Sequence, residues 1–292
     1  MKRIRGHRLR YMLGVTVALA LWSVTALAAD PLKLAATYGD GANPFHLATG
    51  SPGELGLLEA LAQAFAQQNP ATLLWVKAGS GKSLDLLKNR QVDMVMVHAP
   101  TAEKKAVTEG WAVEPTLIGS NEFYIVGPKA DPAGIQGAQS AADAYRRIAE
   151  AKANFITRAD NSGTHKKELQ IWKQAGIEPG GDWYIPTKDF MTASLKKANE
   201  VDGYFMTDSS TWVAEKTNLP NLAVQFRGDP FLVNTYHALV APSGATAARD
   251  IASAFVNFVA SEQGQRIISE YGKDRYGEAL YQNAEYAQQF VD

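Results

Sequence analysis

Four times along this chain a short apolar run is followed by a turn of small hydroxyl residues and then by a helical pattern. The turns are Thr49-Gly50-Ser51, Gly79-Ser80-Gly81-Lys82-Ser83, the segment from Arg158 to Thr164, and Asp208-Ser209-Ser210-Thr211. Around them lie continuous apolar runs such as Leu73-Leu74-Trp75-Val76 and Met94-Val95-Met96-Val97. The stretch after the first turn places Leu57, Leu58, Leu61, Ala62 and Phe65 on one helical face. Strand, small polar turn and helix in alternation predict parallel strands joined by crossover helices, an α/β fold. In an open sheet of this kind such turns gather at the carboxyl ends of the strands, where ligands sit.

The same turns suggest what the ligand is. A helix start offers free N–H groups and the positive end of a dipole, glycine lets a ligand approach the backbone, and hydroxyls add directed donors. Together they suit an anion. Ser and Thr at a helix start also serve as plain caps, so one turn alone decides nothing. Arg158, at a strand end, is the candidate cation, or else a salt-bridge partner. Gly79 to Ser83 imitates a nucleotide phosphate loop, but that pattern needs Gly where Val76 stands, so nucleotide hydrolysis is not expected.

The first ten residues carry five cations and no anion, followed by an apolar run of about 17 residues ending Ala26-Leu27-Ala28-Ala29. This reads as a signal peptide over residues 1–28, cleaved after Ala28, with release into the periplasm. The chain has 292 residues and no cysteine, so disulfides, thiolate metal sites, cysteine nucleophiles and a lipid anchor are all excluded. Losing the leader's five cations leaves 24 basic against 30 acidic residues, a net charge of −6. An acidic chain argues against nucleic acid as a partner. The remaining length suits about two domains.

Catalytic patterns are thin. His46, His98, His165 and His237 lack metal-ligand spacing, and no Gly-x-Ser-x-Gly elbow occurs. His98 ends a strand and could face a cleft or satisfy a backbone group. Asp208 could orient a donor or cap its helix. An enzyme using either residue is the lesser alternative; the expectation is a non-enzyme with no cofactor and no bound metal ion.

Coarse boundaries follow from the patterning. One helix is expected from about Gly53 to Gln68, another from Thr101 to Glu109 with Thr101 as cap, and a third from Thr164 to Gln174. A strand is expected over Phe123–Pro128, and a helix capped by Ser209 or Ser210.

Several segments resemble the tungstate-binding family of type II periplasmic solute-binding proteins. They are Ala78-Gly79-Ser80-Gly81-Lys82, Val97-His98-Ala99-Pro100, and the run Val126-Gly127-Pro128-Lys129-Ala130-Asp131-Pro132. The most specific is Arg158-Ala159-Asp160-Asn161-Ser162-Gly163-Thr164-His165, with Trp172-Lys173 and Ala175-Gly176-Ile177-Glu178-Pro179 after it. The resemblance spans about Phe45 to Gly272. It implies two lobes, each a mostly parallel sheet flanked by helices, closing on an anion in the cleft between them. On this sequence residues 29–125 and 236–292 would form lobe 1 and residues 126–235 lobe 2. It also implies the binding component of an ABC importer, a monomer that delivers a tungstate- or molybdate-class oxyanion to a membrane permease. Tungsten or molybdenum would enter only as that oxyanion.

Carried onto this chain, the ligand-binding residues are Thr49, Gly50, Ser51, Ser80, Gly81, His98, Arg158, Ser162, Gly163, Thr164, Asp208 and Ser209. The chain departs from the family pattern at Thr49 to Gly53, where hydroxyls are fewer, at Lys188-Asp189-Phe190-Met191, and at Asp208-Ser209-Ser210-Thr211. An organic carboxylate or another small anion is therefore the alternative ligand, with Tyr38, Phe190 and Tyr184 as walls of a roomier pocket.

Overall fold

The computed structural model describes residues 32–291, so the expected leader and its cleavage point after Ala28 lie outside the described residues. The strands are β1 (Ala36–Tyr38), β2 (Asn43–Thr49), β3 (Ala71–Lys77), β4 (Met94–Val97), β5 (Val113–Pro128), β6 (Phe155–Thr157), β7 (Tyr184–Pro186), β8 (Tyr204–Asp208), β9 (Leu222–Phe226) and β10 (Val233–Val240). The first six helices are α1 (Ser51–Glu54), α2 (Leu57–Ala66), α3 (Ser80–Lys88), α4 (Pro100–Thr108), α5 (Ala141–Ala151) and α6 (Gly163–Ala175). Six more follow: α7 (Met191–Glu200), α8 (Ser209–Glu215), α9 (Arg249–Ala260), α10 (Glu262–Glu270), α11 (Lys273–Tyr276) and α12 (Ala284–Ala287).

The strand order is β1-β3-β2-β4-β10-β5-β8-β6-β7, with β9 also on β5. Two parallel trios carry the α/β expectation. In one, β2 lies between β3 and β4; in the other, β6 lies between β7 and β8. The strands that link the trios, β5 and β10, are antiparallel to each other and to their neighbours. The whole is therefore a mixed sheet built around two parallel centres. β5 is 16 residues long and serves both: its first part pairs β10, its last part pairs β8 and β9. Only Phe123–Pro128 was legible as a strand, because Glu114 and Pro115 mask the earlier part and its ladder is set by a partner more than a hundred residues away.

Side-chain alternation sends β2 and β4 residues to two cores. Phe45, Leu47, Met94 and Met96 join Phe65 and Phe255 on one face; Ala48, Val95 and Val97 join Leu84 and Leu87 on the other. Phe255 sits 5.4 Å from Phe45 and 5.2 Å from Phe65, ring centre to ring centre. A separate core forms on the second trio, where Trp172 stands 4.4 Å from Tyr145 and 5.1 Å from Phe155.

Two boundary expectations are corrected. The single helix over Gly53–Gln68 is α1 and α2, broken at Gly56, which adopts φ 90° with the Tyr271 hydroxyl where a Cβ would stand. Thr101 does not cap α4. The helix starts a residue earlier at Pro100, and the Glu103 carboxylate accepts from the Ala99 N–H at 2.5 Å instead. Among the described residues no helix is long and apolar enough to cross a membrane.

Candidate functional site

Glycine brings two of the four turns and the end of β4 into contact. At Gly79 an added Cβ would stand 3.3 Å from the Ser162 Cβ; at Gly81 it would stand 2.8 Å from the Asn161 carbonyl oxygen. At Gly163 it would fall 2.6 Å from the His98 ring and 2.8 Å from the His98 carbonyl. Only a missing side chain allows α3, α6 and β4 to approach this closely. Beside this junction lies a cavity of about 230 Å³ lined in part by Lys77, Lys82, Asp160, Ser162, Lys188 and Phe190. Ala159, Asn161 and Lys188 around it hold left-handed backbone, φ 48°, 60° and 56°. Such conformations persist only where surrounding contacts enforce them.

Arg158 is 5% exposed at the end of β6. Its Nη2 donates to the Asp160 carboxylate at 2.6 Å, its Nε donates to the Asp189 carbonyl at 3.1 Å, and the guanidinium lies 5.7 Å from the centre of the Phe190 ring. A guanidinium has five N–H groups, so donors remain beyond these two bonds. Asp160 was not singled out in the sequence, although it lies in the Arg158–Thr164 run. It also accepts from the Ser162 N–H at 3.1 Å. Burial opposes its ionisation, but Arg158 and Ser162 hold the carboxyl below its usual range.

Helix α6 begins at this pair. Ser162 caps it, accepting from the His165 N–H at 3.3 Å. Thr164, in the first turn, is 1% exposed and its hydroxyl has no hydrogen-bond partner among the described residues. A buried hydroxyl without a partner is costly, and sites that receive a ligand are where such atoms are tolerated. Ser80, the first residue of α3, accepts from the His98 N–H at 3.2 Å. The His98 ring meets Asn234 through Nδ1 at 2.9 Å and packs on Tyr236. Burial, helped by nearby Arg158 and Lys167, outweighs the Asn234 contact and brings His98 down to about 4.

The other expected residues are placed differently. The Thr49 hydroxyl donates to the Met96 carbonyl at 2.8 Å, and the Thr49 carbonyl accepts from Trp75 and from the Ala78 N–H. Gly50 caps the four-residue α1, and Ser51 opens it. These bonds hold the first turn beside the second. Asp208, not Ser209 or Ser210, caps α8. It accepts from the Thr211 N–H at 2.8 Å, the Thr211 hydroxyl at 2.9 Å and the Ser210 hydroxyl at 2.6 Å. The Ser209 hydroxyl accepts from the Glu122 N–H at 3.2 Å. Of the three expected aromatic walls only Phe190 lines the cavity, with Lys77 Nζ 4.1 Å over its ring. Tyr184 donates to Glu168 at 2.6 Å, and Tyr38 pairs with Leu73 on the outer strand β1. Lys82 and Lys188 stood in segments quoted from the sequence but were not singled out; with Lys77 at the end of β3, Lys82 in α3 and Lys188 after β7, only the tertiary fold brings the three to one cavity. Among the described residues no group of three or more His, Asp or Glu is placed to hold a metal ion.

A domain model described as the PBP superfamily domain matches residues 35–263. The tungstate-binding protein TupA of Peptoclostridium acidaminophilum is 34% identical over 239 residues, covering 80% of this chain and 82% of that protein. The crystal structure of the tungstate ABC transporter from Geobacter sulfurreducens superposes with a TM-score of 0.72 at 35% identity, covering 80% of this chain and 100% of that one. The tungstate binding protein TupA from Desulfovibrio alaskensis G20 superposes at 0.70 and 36% identity, covering 83% and 99%. The chain belongs to the PBP superfamily and, within it, to the TupA-like periplasmic binding proteins.

Proposed function

We propose that this protein is the periplasmic substrate-binding component of an ABC importer, and that it holds a small oxyanion of the tungstate or molybdate class where α3 and α6 begin. The observation that carries the reading is Arg158, a buried guanidinium with unused donors, tied through Asp160 to Ser162 at the start of a 13-residue helix whose first turn holds the Thr164 hydroxyl, without a hydrogen-bond partner among the described residues. Arg158, Ser80, Gly81, Ser162, Gly163 and Thr164 are the ligand contacts. Thr49, Gly50, Ser51, His98, Asp208 and Ser209 hold the turns that present them. A water-poor site of fixed donors binds an anion through directed dipoles, not through the field of the whole chain.

Residues 29–125 with 236–292 form one lobe and residues 126–235 the other. β5 and β10 cross between them, and closure encloses the ligand. The leader is removed after Ala28, the mature protein is a monomer in the periplasm, and it delivers its ligand to a membrane permease without chemical change. The similarity to tungstate-binding relatives supports the ligand class, and the shared fold supports the transport role.

Calorimetry on residues 29–292 tests the reading, with tungstate, molybdate, sulfate and small carboxylates as titrants. Micromolar or tighter binding of tungstate or molybdate is expected. Binding of a carboxylate alone would transfer the site to an organic acid, which the Phe190 wall and a 230 Å³ cavity would accommodate. Arg158→Ala should weaken oxyanion binding by about 10- to 100-fold, the loss of a charge-assisted hydrogen bond. Unchanged affinity removes Arg158 from the site.

A further inference from the structure

Midway along β5 and at the start of β10, Asn121 and Asn234 are register partners. Both side chains are buried, and they touch each other: Asn234 Nδ2 donates to Asn121 Oδ1 at 2.8 Å. On the far side, Asn121 Nδ2 donates to the Ser210 hydroxyl oxygen at 2.6 Å, and that hydroxyl donates to Asp208 Oδ1 at 2.6 Å. On the near side, Asn234 Oδ1 lies 2.9 Å from His98 Nδ1. Five side chains thus form one continuous chain from α8 to the end of β4.

Its direction is fixed at the Asp208 end. An ionised carboxylate only accepts. Ser210 must therefore give its proton to Asp208 and accept from Asn121. Turning the Asn121 amide would aim its oxygen at Asp208 Oδ1, now 3.5 Å from Nδ2, setting two acceptors against each other. With Asn121 so oriented, its oxygen takes a proton from Asn234, and the Asn234 oxygen is left facing His98. The hydrogen bond to His98 then needs the proton on Nδ1 of the ring.

His98 is the point where the helix starts meet. Its N–H is bonded to Ser80 of α3, its ring is packed against Gly163 of α6, and through the two asparagines it reaches Asp208 of α8. We propose that Asn121 and Asn234 are positioning residues that fix His98 in the Nδ1–H form and so hold the starts of α3, α6 and α8 in register around the anion site. The location of that site rests on the oxyanion reading given above; the tautomer does not. Neither asparagine needs to touch the ligand. A ring locked in this way offers an acceptor, not a donor, at Nε2.

The test uses residues 29–292 with ¹⁵N-labelled histidine and no ligand. Long-range ¹⁵N–¹H correlation of the imidazoles distinguishes the two neutral tautomers, and His98→Gln identifies the His98 signals. Wild type is expected to show His98 as Nδ1–H alone at pH 7. Asn121→Leu, two residues removed from the ring, is expected to give a mixture with Nε2–H and about tenfold weaker tungstate binding. Should Asn121→Leu fail to fold, Asn234→Thr, a residue at home in a strand, interrupts the same chain. An Nε2–H ring in wild type, or a pure Nδ1–H ring in a folded Asn121→Leu, overturns the proposal. Failure of wild type to bind tungstate would count against the oxyanion reading alone, since the tautomer is read without ligand.

Discussion

Glu168 sits in α6 with 1% of its surface exposed, accepting the Tyr184 hydroxyl proton at 2.6 Å. Burial pushes its carboxyl up to about 7, against the Tyr184 bond and with Asp160 adding to the rise. Between its ordinary value of 4.5 and 7 the folded chain keeps a proton that the unfolded chain has released, so stability falls as pH rises. Glu168→Gln should be nearly neutral at pH 5 and more stable than wild type at pH 8 by up to about 3 kcal/mol, measured by urea unfolding at both pH values. His98 runs the other way. Its folded value of about 4 lies below the ordinary 6.5, so the unfolded chain takes up the proton first and stability is lost as pH falls from 6.5 towards 4. The His98 ring should titrate near 4 by NMR, with Arg158 and Lys167 opposing its charge and Asp160 favouring it. A midpoint near 6.5 would contradict its burial. Gly163→Ala should destabilise by about 1–3 kcal/mol, since a methyl group there meets the His98 ring and carbonyl.

Helix α6 shows how one element carries a site. Its apolar side, with Ile171 and Trp172, is anchored in the second core, and that anchoring aims its first turn at Arg158 and the start of α3. Ser162→Ala removes the hydroxyl that accepts from the His165 N–H and should cost about 1 kcal/mol in thermal or urea unfolding. This helix was legible to within a residue at each end, from Thr164–Gln174 in the pattern to Gly163–Ala175 in the structure. Its Ser cap, its helical apolar spacing and Gly176 beyond its end are all local signals. Helix α4 was less legible, because the side chain that closes its start comes from Glu103 inside the helix and not from the hydroxyl at Thr101. β5 was legible only over its last part, because a long crossing strand takes its register from β10, β8 and β9 and not from its own alternation.

At the scale of the molecule, β5 serves both halves of the sheet, giving Ile118 to the core around Phe255 and Phe123, Ile125 and Val126 to the core around Trp172, so the two cores share one strand. Unfolding should therefore be a single transition. Fluorescence of variants keeping only Trp75, from the first core, or only Trp172, from the second, should give the same denaturant midpoint. Two separated midpoints would show that the halves melt independently. The same sharing places Asn121 and Asn234 where they connect β4 to α8.

The sequence by itself determined the α/β alternation and the Ser162-Gly163-Thr164 helix start, because these rest on periods and caps a few residues long. Its nearly balanced charge, formal net −1, also meant that local groups, not net charge, would have to hold an anion. Only the tertiary structure decided which small hydroxyls are spent. The hydroxyls of Thr49, Ser210 and Thr211 are bonded within the fold, while that of Thr164 has no partner among the described residues. It also paired Arg158 with Asp160, and it joined His98 to Asp208 through two strand asparagines. The reason is physical: a hydrogen bond is decided by which donor and acceptor face each other in the packed chain, and those partners stand from two to more than a hundred residues apart.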